Sequence, residues 1–195
     1  MCAVSAGLRE RKKSATRQAL HEAAVALSVE HGLERVTVEA IADAAEVSRR
    51  TFSNYFASKE EAFLYGDHLR MRLLVDAVRE RPADERPWAA LTAAGLETHR
   101  RLGPRDQEWV TQVRLVRRHP ALAAQQVATY SALEDDLTAE LCARGLGDRM
   151  RARLMAAAFL VAMRVAVAEW LDRPAGTQLG DVTREALDAT GAAFV

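Results

Sequence analysis

Residues 48–59 carry several side chains of the kinds that recognise DNA. Arg49 and Arg50 stand together, and Asn54 follows about one helical turn later. Arginine can donate two hydrogen bonds to guanine in the major groove, and asparagine can pair with adenine in the same manner. Hydroxyl and ammonium groups suit phosphates better, where they set position rather than sequence. We therefore predict that a short helix here enters the major groove. The predicted DNA contacts are Thr37, Ser48, Arg49, Arg50, Thr51, Ser53, Asn54, Tyr55 and Lys59.

Two of these assignments have alternatives that the sequence leaves open. An isolated pair such as Arg49-Arg50 is more often a solvated part of a helix surface, and only the surrounding pattern favours DNA contact. Tyr55 can pack its ring against a preceding helix instead of facing the DNA.

Local charge supports the DNA prediction better than net charge does. The chain has 27 basic and 27 acidic residues, so the whole molecule offers no electrostatic argument for nucleic acid. Residues 48–59 contain basic residues and no acid, and residues 1–17 carry five basic residues against one glutamate. We expect residues 1–13 to form a basic flexible tail. Such a tail either keeps the chain end soluble or lies along phosphates or the minor groove.

Two further helices are needed to position the DNA-reading helix. Apolar residues recur at helical spacing between Thr16 and His31, and Gly32 can end this first helix. Thr37 suits the N-cap of a second, short helix, and Ser48 suits the N-cap of the third. This order predicts a helix-turn-helix, in which the last short helix is presented to the major groove. The residues expected to face inward are Val38, Ile41, Ala42, Val47, Phe52 and Phe56.

The remainder of the chain also predicts helices. Ser58 and Glu61 have the spacing of a capping box, so we expect a fourth helix from there to about Arg81, before Pro82. Prolines and glycines divide the rest into about five helical segments, and no stretch has the alternation of a strand. We predict an all-α chain of about nine helices, with a three-helix DNA-binding domain over residues 14–66 and a second helical domain over residues 67–195.

The sequence around the predicted turn resembles the TetR family of regulators. The similar residues run from Val38 to Ala42 and from Val47 to Glu60, within a match that spans residues 14–66. The resemblance implies a repressor that binds operator DNA as a homodimer. It also implies that residues 67–195 form a ligand-binding and dimerisation domain, in which a small hydrophobic or amphipathic ligand weakens DNA binding. We expect the dimer to form through the helix around Met150–Leu171 and the last helix, around Asp181–Ala193.

Two residues depart from the family pattern. Glu46 stands in the turn where the family usually has glycine, so a left-handed backbone at this position would be strained. Ser53 stands where the family usually has an aromatic residue that contacts a phosphate. That contact is therefore lost, or Tyr55 makes it instead.

The second half of the chain contains large apolar residues that serve either as core or as the lining of a ligand cavity. Arg164 shares a helix face with apolar residues, so its charge needs a partner. The sequence leaves three partners open for this charge: an ion pair within the subunit or across the dimer interface, an anionic ligand, or solvent that the long side chain reaches.

The ligand class is suggested by a second, looser resemblance. Arg114 to Pro120, followed by a helix with Tyr130 and Glu134, is similar to a TetR subgroup that binds acyl-coenzyme-A-like molecules. The arginines of this segment can alternatively stabilise a helix C-terminus. The candidate ligand-binding residues are Trp109, Val113, Arg114, Arg117, Tyr130, Phe159, Met163 and Arg164.

Other classes of function find little support in the sequence. The histidines are scattered without metal-ligand spacing, and there is no glycine-rich phosphate loop or nucleophile elbow. Cys2 and Cys142 form neither a disulfide framework nor a metal cluster, which fits a reducing cytoplasm. The apolar run Leu154–Ala168 is shorter than a membrane span and includes Arg164, so we expect a buried helix and no membrane partner. We predict no catalytic residue, no metal and no cofactor.

The prediction is thus a cytoplasmic TetR-type repressor. Its expected partners are double-stranded operator DNA, a second copy of itself and an effector, with acyl-coenzyme-A esters as the first candidates. The alternative is a helical small-molecule-binding or interaction protein, or a cofactor-free enzyme, without DNA binding. That alternative leaves the polar face of the third helix unexplained.

Overall fold

A computed structural model describes residues 3–103 and 107–194, and all the secondary structure within them is helical. The prediction of an all-α chain with about nine helices is confirmed for these residues. A single turn of 3-10 helix, η1, lies between the first two α-helices. The elements in chain order are α1 (Ala3–His31), η1 (Leu33–Arg35), α2 (Val38–Ala44), α3 (Arg49–Ser53), α4 (Lys59–Arg79), α5 (Pro87–Leu102), α6 (Gln107–Arg118), α7 (Pro120–Ala143), α8 (Arg149–Asp172) and α9 (Leu179–Gly191).

Helix α1 begins well before the predicted start near Thr16. The Thr16 hydroxyl does not cap the helix but donates to the Lys12 carbonyl, 3.0 Å away, as hydroxyls do inside helices. Between Ala3 and Thr16 only Gly7 strongly disfavours a helix, whereas the leucine, alanine, lysine and arginine residues favour one. Residues 3–13 are therefore helical here and differ from the flexible tail that we expected. Met1 and Cys2 lie outside the described residues.

The chain divides into two compact units. The first consists of Met1–His68 and Thr111–Gln126, and the second of Leu69–Val110 and Val127–Val195. The expected boundary between residues 66 and 67 thus lies within α4, close to the observed division between His68 and Leu69. The sequence did not predict that residues 111–126 would group with the first unit.

Two apolar clusters hold the first unit together. One buries Leu20, Ile41, Phe52 and Phe56, so it joins α1, α2, α3 and the turn that follows α3. The residues predicted to face inward do so: Ile41, Ala42, Phe52 and Phe56 are buried, and Val38 and Val47 pack partly buried against the cluster. The other cluster contains Val25, Leu33, Phe63, Leu64, Val116 and Leu122. It explains why residues 111–126 belong to this unit.

The core of the second unit is centred on α8. Phe159 is fully buried, and its ring meets Trp88 of α5 edge to face, with the centroids 6.4 Å apart. Trp88 also stacks on Phe194 and lies directly against Gly191 of α9, where a Cβ atom would meet the indole. Glycine at this position therefore allows α9 to approach α5 closely.

Helix α8 has one buried and one exposed apolar face. Met155, Phe159 and Ala166 face the core, whereas Leu154 and Val161 are exposed. This differs from the expected buried helix, because only one face of α8 is buried. Of the helices in the described residues, α8 is the one long and apolar enough to cross a membrane, a test that core helices of soluble proteins also pass.

Candidate nucleic-acid interface

Helix α2 begins at an N-cap formed by Thr37. Its hydroxyl oxygen accepts a hydrogen bond from the Ala40 N–H at 3.1 Å, which satisfies one of the free donors at the start of the helix. The side chain is otherwise exposed. The predicted role of Thr37 as a cap is confirmed, and this cap sets the direction of the first helix of the helix-turn-helix.

The turn between α2 and α3 passes through a left-handed residue. Glu46 has φ 53°, and it is the only residue other than glycine with positive φ among the described residues. The Val47 N–H donates to the Ala42 carbonyl at 2.9 Å, which closes the turn. The strain predicted for Glu46 is therefore present, because a side chain at this φ crowds the backbone.

Helix α3 is short and capped by Ser48. The Thr51 N–H donates to the serine hydroxyl oxygen at 3.0 Å, and the two hydroxyls are 2.9 Å apart. Arg49, Arg50 and Ser53 of α3 and its C-cap Asn54 are exposed, while Phe52 is buried beneath them. The Ser53 hydroxyl donates back to the Arg49 carbonyl. One face of α3 thus presents polar side chains while the other anchors the helix.

Arg49 is already engaged in an ion pair. Its guanidinium lies 3.0 Å from the Glu39 carboxylate of α2, and both side chains are mostly exposed, at 73% and 53%. An exposed pair of this kind contributes at most about 1 kcal/mol, so DNA can replace it. No local sequence pattern links Glu39 with Arg49.

The ammonium group of Lys59 is bound by two backbone carbonyl groups, a contact that the predicted phosphate role does not need. Its ammonium donates to the carbonyl oxygens of Leu33 and Val36, at 2.7 and 2.9 Å. These bonds tie the start of α4 to η1 and leave one of the three ammonium donors free. The structure therefore gives Lys59 a structural role that the sequence did not reveal.

The ring of Tyr55 packs beneath Arg17 of α1. The guanidinium carbon lies 5.7 Å from the ring centroid, and Tyr55 is partly buried against the first apolar cluster. This contact supports the alternative in which Tyr55 packs against the first helix. Arg17 was not among the predicted site residues, because its neighbours come from distant parts of the chain.

Ser58 caps α4 as predicted, but the second bond of the capping box goes to Ala57 and not to Ser58. The Glu61 N–H donates to the Ser58 hydroxyl at 3.1 Å, and the Glu61 carboxylate accepts from the Ala57 N–H at 2.7 Å. These bonds fix the junction that follows α3, and so they help to set the direction in which α3 points.

Within the first unit, the corner between α6 and α7 contacts η1. His119 Nε2 lies 2.9 Å from a carboxylate oxygen of Glu34. A backbone hydrogen bond within Glu34 lowers the pKa of its carboxyl below the ordinary value, and the nearby His119 lowers it further. The buried apolar contacts of Leu33 with Val116 and Leu122 lie beside this pair.

The predicted ligand-binding residues fall into different units. Val113, Arg114 and Arg117 belong to the first unit, whereas the remaining five belong to the second. In the second unit Phe159 is core, Met163 and Tyr130 pack partly buried against that core, and the Trp109 ring lies 6.0 Å from that of Trp170. Arg164 is exposed beside Val161 and Val165 on the outer face of α8. The five in the second unit are Trp109, Tyr130, Phe159, Met163 and Arg164.

Comparison with known proteins gives two family matches along the chain. Residues 20–65 match the model described as bacterial regulatory proteins, tetR family, and residues 85–195 match the MftR C-terminal domain. The chain is 36% identical over 173 residues to the HTH-type transcriptional regulator TcmR of Streptomyces glaucescens, covering 84% of this chain and 76% of TcmR.

Two solved structures share the fold over most of the chain. SmeT of Stenotrophomonas maltophilia, in complex with triclosan, is 23% identical, with 92% of this chain and 91% of that chain covered and a TM-score of 0.66. FadR of Thermus thermophilus, in complex with lauroyl-CoA, is 22% identical, with 92% and 95% covered and a TM-score of 0.60. At these identities the likeness supports the fold alone.

Proposed function

The chain belongs to the TetR family of DNA-binding transcriptional regulators, and we propose that it is a repressor. In this proposal it binds its operator as a homodimer and releases the operator when a small ligand binds. The observation that carries the proposal is the geometry of α3. This helix is capped at Ser48, anchored by Phe52, and exposes Arg49, Arg50 and Asn54 together. That arrangement fits the helix that enters the major groove.

We assign different tasks to the residues of this surface. Arg49, Arg50 and Asn54 read bases, because their side chains can form paired hydrogen bonds with base edges. Residues with hydroxyls, and the remaining ammonium donor of Lys59, bind phosphates and set the register. The residues assigned to phosphates or the groove edge are Thr37, Ser48, Thr51, Ser53 and Lys59, whereas the ring of Tyr55 packs beneath Arg17.

The outer face of α8 supports the dimer. Met150, Leu154, Val161 and Val165 are 74%, 59%, 51% and 39% exposed, and their spacing places them on one side of the helix. A soluble protein rarely leaves such a row in contact with water. We therefore assign this row to a two-fold interface that places the recognition helices roughly 34–36 Å apart, one turn of DNA. The exposure of Arg164 beside the row favours a role at this interface.

For the effector we propose a hydrophobic or amphipathic molecule in the second unit. SmeT is described with triclosan and FadR with lauroyl-CoA, so one relative carries a hydrophobic drug and the other an acyl-coenzyme-A ester. Tyr130, Met163 and Trp109 are partly buried and so can contact such a ligand. The effector must bind the released state better than the DNA-bound state, because only that difference shifts the equilibrium.

A gel-shift experiment tests the repressor proposal. The purified protein is titrated into the promoter region upstream of its own gene, in the presence of an unrelated duplex of equal length. We expect a discrete complex with the promoter at concentrations that leave the unrelated duplex free. Equal binding of both duplexes would contradict operator recognition. A regulator of this kind acts where the genome is, so we also propose a cytoplasmic location.

The effector proposal has its own reciprocal test. Acyl-coenzyme-A esters and hydrophobic drugs are titrated into the protein–operator complex, and operator is titrated into the protein–ligand complex. We expect the same factor of weakening in both directions, because linkage is reciprocal. A ligand that binds in the second unit without changing operator affinity would contradict the effector role and leave DNA binding unaffected.

A further inference from the structure

Arg17 contacts the residues that follow the recognition helix. Its guanidinium carbon lies 5.7 Å from the centroid of Tyr55, 5.9 Å from Phe56 and 5.6 Å from Tyr65. Each distance is within the range of about 6 Å at which a cation is attracted to an aromatic ring. Since α3 ends at Ser53 and is capped by Asn54, Tyr55 is the next residue along the chain. Three rings thus hold this cation beside the end of α3.

The guanidinium retains unused hydrogen-bond donors. Its Nε is buried and has no partner in the part of the chain that the structure describes, although the residue as a whole is only partly buried. A guanidinium has five N–H donors, and aromatic rings accept none of them as strongly as an anion would. The aromatic contacts therefore fix the position of Arg17 but leave its donors for another partner.

The DNA-binding domain has more acidic than basic residues, so each basic side chain that can contact DNA matters for its affinity. Residues 14–66 contain five basic and eight acidic residues, so the domain has little positive charge with which to attract DNA. Arg49 is paired with Glu39, and Lys59 donates to backbone carbonyls. The five basic residues are Arg17, Arg35, Arg49, Arg50 and Lys59.

We propose that Arg17 binds a phosphate of the operator at the edge of the groove that α3 enters, with Tyr55, Phe56 and Tyr65 holding its guanidinium in place. The inference rests on the DNA binding described above. The major groove is about 12 Å wide, so a cation beside the end of α3 lies near the sugar–phosphate backbone. The planar guanidinium can meet two phosphate oxygens at once. Lys13, exposed one turn earlier on α1, extends the same basic side of the helix.

The test compares Arg17→Met, which keeps the apolar stem, with Arg17→Lys, which keeps the stem and the charge but loses the planar guanidinium. Arg118→Met is the matched control, since Arg118 is an exposed arginine of the same unit at the end of α6, outside the predicted DNA contacts. Affinity for the operator and for an unrelated duplex is measured over a range of salt concentrations. A thermal unfolding curve for each variant records its effect on the fold.

For Arg17→Met we expect operator affinity to fall about tenfold or more, the value of a charge-assisted hydrogen bond. Binding to the unrelated duplex should fall by a similar factor, because a phosphate contact carries no sequence information. The slope of log affinity against log salt should become shallower by about 0.9 per bound subunit. Arg17→Lys should keep the slope and lose part of the affinity, and Arg118→Met should keep both.

An unchanged salt slope in folded Arg17→Met, with wild-type protein still binding the operator, would overturn this inference alone. A wild-type protein that binds no operator would overturn it together with the proposed function. If Arg17→Met does not fold, operators with single neutral methylphosphonate groups decide the matter. If the contact exists, one such group at the groove edge weakens operator binding by the wild-type protein more than binding by Arg17→Lys. Equal weakening of the two proteins at every phosphate position would contradict the contact.

Discussion

Arg49 and Arg50 offer most of the base-reading capacity of α3, because each can pair with guanine through two hydrogen bonds. We expect replacement of both by alanine to weaken operator binding by more than about 1–3 kcal/mol, the range for one such contact. Fluorescence anisotropy with labelled operator measures the change. Arg86→Ala, at an exposed position just before α5, is the control. A folded double variant with wild-type affinity would leave the pair as a solvated surface feature.

Glu46 carries backbone strain that can be relieved. Its φ of 53° suits glycine better than any side chain. We expect Glu46→Gly to raise the free energy of unfolding by up to about 1 kcal/mol, since the left-handed conformation then costs less. Urea denaturation measures this change. Glu22→Gly, in the middle of α1, should lower stability by about 1 kcal/mol. Equal losses in both variants would show that the turn gains nothing from glycine.

At the scale of whole elements, local signals decided which parts of the fold were predictable. Caps at Thr37, Ser48 and Ser58 involve atoms three or four residues apart, and such bonds follow from sequence alone. The start of α1 was missed because a run of basic residues fits a solvated tail as well as a helix. The grouping of residues 111–126 with the first unit depends on packing between Val116 and Leu33, which no local pattern encodes.

The same distinction holds for the site. The exposed residues of α3 were predicted because they lie on one face of a short helix. Arg17 and Glu39 were missed because their partners are on other elements, and the bonds of Lys59 to η1 were missed for the same reason. Sequence patterns therefore identified the exposed polar surface of α3 but not the contacts that hold it in shape.

The exposed row on α8 predicts how the dimer can be broken. We expect Leu154→Glu combined with Val161→Glu to produce monomers at micromolar concentration, because each subunit then buries charge at the interface. Light scattering gives the mass, and operator affinity should fall in parallel. Val127→Glu, at a 69% exposed position on α7, is the control and should remain dimeric. A double variant that stays dimeric would assign the interface to another surface.

At the scale of the whole molecule, several carboxyls link stability to pH. Hydrogen bonds from Arg81 and Arg101 lower the pKa of Glu85 and Glu97, and a backbone hydrogen bond lowers that of Glu34. The folded protein therefore binds fewer protons than the unfolded chain between these lowered values and the ordinary pKa of about 4.3. Their stabilising effect is complete above that ordinary value and is lost as pH falls through the lowered ones.

We accordingly expect the melting temperature to fall as the pH is lowered from about 5 to 3, where these groups take up protons. Calorimetry at a series of pH values measures the fall. Glu85→Gln removes one such group and should make the decline smaller, while lowering the melting temperature at neutral pH. A melting temperature that rises on acidification would contradict this assignment of the carboxyls.

The grouping of residues 111–126 with the first unit affects the design of chimeric regulators. If the chain were cut within α4 and its C-terminal part replaced by that of another regulator, the hybrid would lose Val116 and Leu122. In the native protein these two residues pack against Val25, Leu33 and Phe63. Such a hybrid would expose apolar surface at the base of its own recognition module, and it would aggregate or lose its operator. A working chimera has to move the α6–α7 corner together with the DNA-binding helices, so the transferable module is discontinuous in the gene.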